Sequence, residues 1–299
     1  MVTRAEAWQE GTRRLAAAGV ESPQLDSEVL LRHVLGATTE VFYRDLGEDL
    51  PDEPLEQFRA LLGRRAQGTP VAYLTGHKEF FGLDFEVTPA VLIPRPETEI
   101  LVERALQVAS ELPATQRGLS ILDLGTGSGA LAVALAAALP SARLVATDCS
   151  AAALEVAARN AQRQGVRARI AFRQGDLWAA LPEKDAARRP VFDLIVSNPP
   201  YIPADELAAL PREVRQEPRP ALDGGPDGLA FYRRLAAGLP AYLAPGGWVL
   251  LEVGAGQASA VNRLLAEAGL TVLSPVKDLA GIERVVQAHE PGGLRQATC

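Results

Sequence analysis

The sequence predicts an α/β fold, a mostly parallel sheet with helices on both faces, preceded by a small helical bundle. Three observations carry that expectation. From Leu119 onward, short apolar runs alternate with helical patterns, the signature of strands joined by helical crossovers. Before about residue 75, apolar residues recur only at three- and four-residue spacing, without strand-like alternation. Between these regions, aromatic and β-branched residues flank Gly82, the texture of a β-hairpin. The expected organisation is a helical domain over 1–75, a hairpin linker over 76–96 and the α/β domain over 97–299.

The helical region holds Trp8 and Leu15, then Leu25, Val29, Leu30, Val34 and Leu35, then Leu55, Phe58, Leu61 and Leu62. Ser22-Pro23 and Asp52 to Pro54 are helix-start signals, because proline is pre-set for the first turn. Gly19, Gly36 and Gly63 are candidate stops. His33 reads as a solvated or capping residue. In Ile93-Pro94-Arg95-Pro96-Glu97-Thr98-Glu99 the two prolines fix an extended backbone, and the glutamates suit the positive end of a helix over 100–112. That segment reads as a rigid lip holding Arg95 near the crevice. The seven expected strands are 120–124, 143–147, 168–172, 192–196, 248–253, 270–273 and 283–287. Expected helices between them are 130–139, 151–164, 228–239 and 258–268.

The chain has 299 residues, 47% of them hydrophobic, enough for a packed core and too many for disorder. No apolar run approaches the ~20 residues of a membrane span. The N-terminal stretch lacks the apolar centre of a secretory signal, and a cytoplasmic location is expected. Two cysteines, Cys149 and Cys299, make neither a disulfide framework nor a metal site. The net charge of −7 disfavours direct binding to nucleic acid through phosphates.

Two motifs carry chemistry. In Val196-Ser197-Asn198-Pro199-Pro200-Tyr201 the prolines end a buried strand, since neither has an N–H for the ladder. Asn198 then stands at a strand's carboxyl end, where an open α/β sheet keeps its ligand crevice. Its amide, the Pro199 carbonyl and the Tyr201 ring can together grip a planar NH2-bearing group. Taken alone, the segment is an ordinary turn signal. The second motif changes that balance. Asp123-Leu124 runs into Gly125-Thr126-Gly127-Ser128-Gly129, whose spacing departs from the dinucleotide fingerprint. Asp148 ends the next strand, where a carboxylate can accept both hydroxyls of a ribose. Asp176 ends the third and can accept from an adenine amino group, with Leu177 beside the ring.

This combination resembles the class I S-adenosylmethionine-dependent methyltransferases, and Asn198 to Tyr201 resembles the signature of those that methylate an amino nitrogen. Further stretches narrow the resemblance to the HemK/PrmC family of peptide-chain release factor N5-glutamine methyltransferases. They are Ala72 to Gly76, Ile93 to Glu99, Glu217-Pro218 with Ala221 to Gly225, and Glu252-Val253-Gly254.

The resemblance implies a Rossmann-like seven-stranded sheet, S-adenosyl-L-methionine as methyl donor with S-adenosyl-L-homocysteine as product, and class I release factors as partners. By position, Gly125, Thr126, Gly127, Ser128, Gly129, Asp148, Asp176, Leu177 and Asn198 would contact the donor. Asn198, Pro199, Pro200 and Tyr201 would be catalytic and hold the glutamine of a Gly-Gly-Gln motif, with Arg95 near it. No metal is expected. A DNA adenine methyltransferase is the alternative; the acidic balance and the lack of a DNA-reading module weigh against it. The glycine spacing weighs against a nicotinamide oxidoreductase, and the intact Asn198–Tyr201 segment against an idle binding module.

Overall fold

The computed structural model describes residues 2–112, 118–181 and 190–292. The Cys299 reading lies outside them. The described elements are β1 (Val2–Thr3), α1 (Arg4–Ala17), α2 (Pro23–Leu35), α3 (Thr39–Arg44), β2 (Asp49–Leu50), α4 (Asp52–Ala66), α5 (Val71–Thr75), β3 (His77–Phe80), β4 (Leu83–Glu86), α6 (Thr98–Glu111), β5 (Ser120–Leu124), α7 (Ala130–Ala138), β6 (Arg143–Asp148), α8 (Ala151–Arg163), β7 (Ile170–Gln174), β8 (Phe192–Ser197), α9 (Ala230–Tyr242), β9 (Leu243–Glu252), α10 (Ala258–Glu267), β10 (Thr271–Val272), β11 (Val276–Lys277) and β12 (Glu283–His289). The chain divides into two compact units, one of residues 1–77 with 210–216, the other of 78–209 with 217–299.

The first unit is a helical bundle. Leu15, Leu30, Leu31, Phe42, Phe58 and Leu62 are fully buried in its core. Pro23 opens α2 and Gly36 closes it with a left-handed φ of 59°. Gly63 does not stop a helix; α4 runs through it to Ala66, and the left-handed residue is Gly68 (φ 97°). Good helix formers and Arg64-Arg65 on the negative end of α4 outweigh the cost of one glycine, about 1 kcal/mol. Gly11 is needed for another reason. A Cβ there would stand 2.4 Å from Ser27 Oγ and 2.7 Å from Phe58, so the helices cross too closely for any side chain. A two-residue antiparallel ribbon, β1 with β2, was not foreseen.

Residues 210–216 belong to this unit. Arg65, nearly buried, pairs with Asp26 at 2.6 Å and with Glu213 at 2.6 Å. Burial pushes the Asp26 carboxyl up, against the lowering effect of Arg65.

The second unit begins with the hairpin. Phe81 (φ 52°) and Gly82 (φ 72°) form a two-residue turn with both φ values positive, the geometry that matches strand twist. Glu99 in the first turn of α6 accepts the Phe81 N–H at 2.8 Å. The central sheet runs β10-β12-β9-β8-β5-β6-β7, with β11 also on β12. Strands β9, β8, β5, β6 and β7 are mutually parallel; β12 runs antiparallel to both of its neighbours, β9 and β10. All seven expected strands are present. The eighth, β11, has two residues and too little pattern to read from sequence. β7 begins two residues later than expected because Arg167–Arg169 form a 3-10 turn. β9 begins five residues earlier than expected, at Leu243.

Side chains alternate across the sheet as a period of two requires. Ile121, Leu194, Val196 and Leu250 pack on the face covered by α6, α7 and α8. Leu122, Leu124, Ile195 and Val249 pack on the face covered by α9 and α10.

Asn160 of α8, wholly buried, ties three elements together. Its Oδ1 accepts the Glu86 N–H at 2.7 Å, and its Nδ2 donates to the carbonyls of Glu86 and Ser128 at 2.9 Å each. Asn160→Ala removes three hydrogen bonds from a buried position, and we expect a loss of roughly 1–3 kcal/mol in chemical denaturation. A variant as stable as the parent would contradict this role.

Candidate active site

Four adjacent parallel strands, β7, β6, β5 and β8, bring their carboxyl ends to one edge. The register pairs Asp123 with both Ala146 and Val196, and Asp148 with Gln174. The chain therefore leaves the sheet at neighbouring points, and the loops there carry Gly125, Asp148, Asp176 and Asn198. A cavity of about 220 Å³ lies at this edge, and all four of these residues line it.

After β5 the backbone turns sharply. Gly125 (φ 76°) and Gly127 (φ 55°) are left-handed, and nothing lies within 4 Å of where a Cβ would sit on either, so the turn faces open space. Gly129 serves packing instead. A Cβ there would come within 3.0 Å of the Ala157 Cβ on α8. Thr126 and Ser128, expected at the donor, are buried and lie off the cavity wall. Asp123, fully buried, anchors the turn: its Oδ2 accepts the Thr126 hydroxyl at 2.6 Å and the Ala132 N–H at 3.2 Å, while Oδ1 has no partner among the described residues. Burial pushes its carboxyl up to about 7.

Asp148 accepts one backbone N–H on each oxygen, from Ser150 and from Gly127, both at 2.9 Å. A carboxylate has about four acceptor sites, so capacity remains for two further donors. Asp176 is exposed and its Oδ2 pairs with Arg234 at 2.7 Å. Leu177 follows with φ 51°, buried beside the cavity. Trp178 turns away and stacks on Tyr242, ring centroids 4.8 Å apart.

Asn198 directly follows β8 and is half-buried, and its Nδ2 donates to Thr98 Oγ1 at 3.1 Å. Pro200 also lines the cavity, whereas Pro199, Tyr201 and Arg95 do not. Tyr201 packs instead within the core of the α9–α10 face. The glycines of the later motifs explain its seat. A Cβ on Gly224 would lie 2.8 Å from the Tyr201 Cα, one on Gly228 2.4 Å from its carbonyl, and one on Gly254 3.0 Å from its ring. Gln257 bridges the same point, accepting the Gly254 N–H and donating to the Tyr201 carbonyl at 2.8 Å.

Residues 222–224 are bonded to the segment that follows Asn198. The Ile202 N–H donates to the Leu222 carbonyl and the Gly224 N–H to the Ile202 carbonyl. Within the helical unit Arg212 reaches the Ala66 carbonyl and Arg215 is exposed; within the second unit Arg219 pairs with Asp223. Glu217, almost fully buried, holds the lip: it pairs with Arg95 and accepts the Ile93 N–H at 3.0 Å. Arg95 is thus held near the crevice without lining it.

Sequence reasoning missed several residues. Phe231 of α9, Val91, and Pro218 and Pro220 line the cavity. Glu252 lies beneath Asn198, 2% exposed, with Oε2 unpartnered among the described residues. Its signal was the Glu252-Val253-Gly254 motif, whose glutamate is an ionisable group at a buried strand end. Burial pushes its carboxyl up to about 7, against the lowering effects of Thr98 and Arg284.

Comparison with known proteins shows the family and the fold. Residues 6–76 match the family model of the PrmC N-terminal domain and residues 101–215 that of the methyltransferase small domain. A release factor glutamine methyltransferase of Moorella thermoacetica is 46% identical over 289 residues, 96% of this chain and 99% of that protein. One of Geobacter sulfurreducens is 45% identical over 280 residues, 93% of each. In fold, the chain is similar to a methyltransferase from Pyrococcus furiosus (TM-score 0.51, 20% identity, 76% of this chain and 98% of that one). It is also similar to a human methyltransferase 10 domain containing protein (TM-score 0.52, 18% identity, 78% and 97%).

The raised Asp123 carboxyl sets a pH dependence of stability. The folded chain holds a proton here that the unfolded chain has released above about pH 4. The group's favourable contribution is full below that point and is lost as pH rises through about 7. Asp123→Asn removes this term, so the stability difference should move in the variant's favour by up to about 4 kcal/mol as pH rises from about 4 to 8. Urea denaturation across that range measures it. A difference independent of pH would contradict the assignment.

Proposed function

The chain belongs to the release factor glutamine methyltransferase family, and from that premise we propose that it transfers a methyl group to the side-chain N5 of the glutamine in the Gly-Gly-Gln motif of class I peptide-chain release factors. The observation that carries this reading is the position of Asn198. It stands at a strand end on the same cavity as Gly125, Asp148 and Asp176.

The methyl donor is S-adenosyl-L-methionine, and the residues present fit it. Gly125 and Gly127 leave room where side chains would stand. Asp148 keeps acceptor capacity for a ribose diol, and Asp176 with buried Leu177 offers an acceptor and an apolar surface for an adenine. The donor supplies a methyl group on a positively charged sulfur, already activated for transfer, and leaves as S-adenosyl-L-homocysteine.

An amide nitrogen is a poor nucleophile because its lone pair is delocalised into the carbonyl. The protein's task is therefore position. Asn198 Oδ1 and the Pro199 carbonyl accept the two N–H bonds of the substrate carboxamide and aim its nitrogen. As the N–C bond forms and the C–S bond breaks, positive charge grows on that nitrogen, so these acceptors bind the transition state more tightly than the ground state, and one N–H proton leaves to solvent after transfer. Alignment contributes roughly several kcal/mol more. Tyr201, held by three glycines and Gln257, fixes the backbone that presents both acceptors.

A glutamine tip alone gives little affinity, so the helical unit serves as a second docking surface for the release factor. We place the reaction in the cytoplasm, with no direct contact to nucleic acid, in keeping with the net charge of −7.

Mass spectrometry of a release factor incubated with enzyme and donor should find one added methyl on that glutamine, and duplex DNA should remain unmodified. Asn198→Ala should lower the single-turnover rate by about 10²–10³-fold while weakening donor binding less than about tenfold. Equal losses in both would overturn the role of Asn198.

A further inference from the structure

The two ends of an Asn carboxamide have nearly the same shape, so only the hydrogen-bond network decides which end faces a ligand. Beneath Asn198 that network has a direction. Nδ2 donates to Thr98 Oγ1 at 3.1 Å, which makes the Thr98 oxygen the acceptor of that bond. Its own hydroxyl proton must then go elsewhere. Thr98 is 4% exposed and cannot give it to solvent. The carboxylate of Glu252, 2% exposed, is close enough that Thr98 and Asn198 favour its charged form by hydrogen bonding.

We propose that Thr98 and Glu252 are positioning residues that set which end of the Asn198 carboxamide faces the substrate, an inference that rests on the reading of Asn198 as the group holding the glutamine. With Glu252 ionised, the Thr98 hydroxyl donates a hydrogen bond to the carboxylate, Thr98 Oγ1 accepts the Asn198 N–H, and Oδ1 is left as the acceptor for the substrate amide. With Glu252 protonated, the chain can run in reverse. The carboxyl donates to Thr98, Thr98 donates to Asn198, and the carboxamide turns its NH2 toward a substrate that is itself an NH2 donor. Two donors facing each other bind no amide.

The groups around Glu252 support a carboxylate that can change state near neutral pH. Arg284 on β12 favours the charged form and Glu97 beside α6 disfavours it. Tyr201 and Tyr232 also face Glu252, and burial first and then its charge raise both phenols, so neither competes as an anion. The Tyr232 hydroxyl donates to the Glu252 backbone carbonyl at 2.7 Å and so gives its proton to the main chain rather than the carboxylate. Burial holds the Glu252 carboxyl at about 7. Activity should therefore fall on the acid side of neutrality.

The test is single-turnover methylation of a release factor from about pH 5.5 to 8.5, with the wild type, Thr98→Val, Thr98→Ser and Glu252→Gln. S-adenosyl-L-homocysteine binding and thermal unfolding are measured in parallel. The wild type should lose rate toward low pH, and Glu252→Gln should be slower with that acid limb absent. Thr98→Val should slow transfer at least about tenfold with product affinity within about threefold, and Thr98→Ser should restore most of the rate. The side-chain amide resonance of Asn198 should shift with pH in the wild type and stay fixed in Glu252→Gln, a readout independent of turnover. If Thr98→Val fails to fold, Thr98→Ser and Glu252→Gln decide. A Thr98→Val enzyme at the wild-type rate, or an acid limb unchanged in Glu252→Gln, overturns this inference while the methylation reading stands. A wild type that leaves the release factor unmethylated removes the premise and overturns both.

Discussion

Strands β7, β6, β5 and β8 lie side by side and parallel, so four loops are delivered to one edge of the sheet. Parallel pairing has a structural cost: each return needs a crossover, and both faces must be covered. Helices α6, α7 and α8 cover one face and α9 with α10 the other. That layering lets β5 and β8, apolar on both sides, sit at the centre. The Ser197 hydroxyl, donating to the Leu124 carbonyl at 2.6 Å, locks their ends together. The glycine turn and Asn198 are thus fixed relative to each other by the sheet rather than by the loops.

Around that edge, the glycines and buried polar residues of the chain have packing reasons. Gly224, Gly228 and Gly254 are small because Tyr201 occupies the space a side chain would need. Glu217 is buried because it holds Arg95 and the Ile93 N–H. Asn160 is buried because it bonds backbone groups of both a hairpin strand and the glycine loop. Each of these polar groups is satisfied by a distant part of the sequence, so together they rigidify the cavity rim.

Much of this was legible in the sequence. The alternation of strand and helix patterns gave the sheet, because buried parallel strands read as apolar runs. Asp148, Asp176 and Asn198 were legible because strand ends are marked by the residues that interrupt those runs. What stayed hidden depends on partners far along the chain. Gly63 reads like a helix stop until the rest of α4 is seen to carry on through it. The place of 210–216 in the helical unit depends on Arg65 meeting Glu213, a pairing no local pattern announces. Thr98 and Glu252 belong to separate motifs; only the fold brings both beneath Asn198. The two-residue strands β1, β2 and β11 are too short for periodicity to register.

A crystal structure with S-adenosyl-L-homocysteine and a peptide carrying the Gly-Gly-Gln sequence tests the central claim most directly. The glutamine nitrogen should lie within about 3 Å of both Asn198 Oδ1 and the Pro199 carbonyl, with the donor's ribose on Asp148. A glutamine held by other groups, or an Asn198 that presents its NH2 to the peptide, would contradict it.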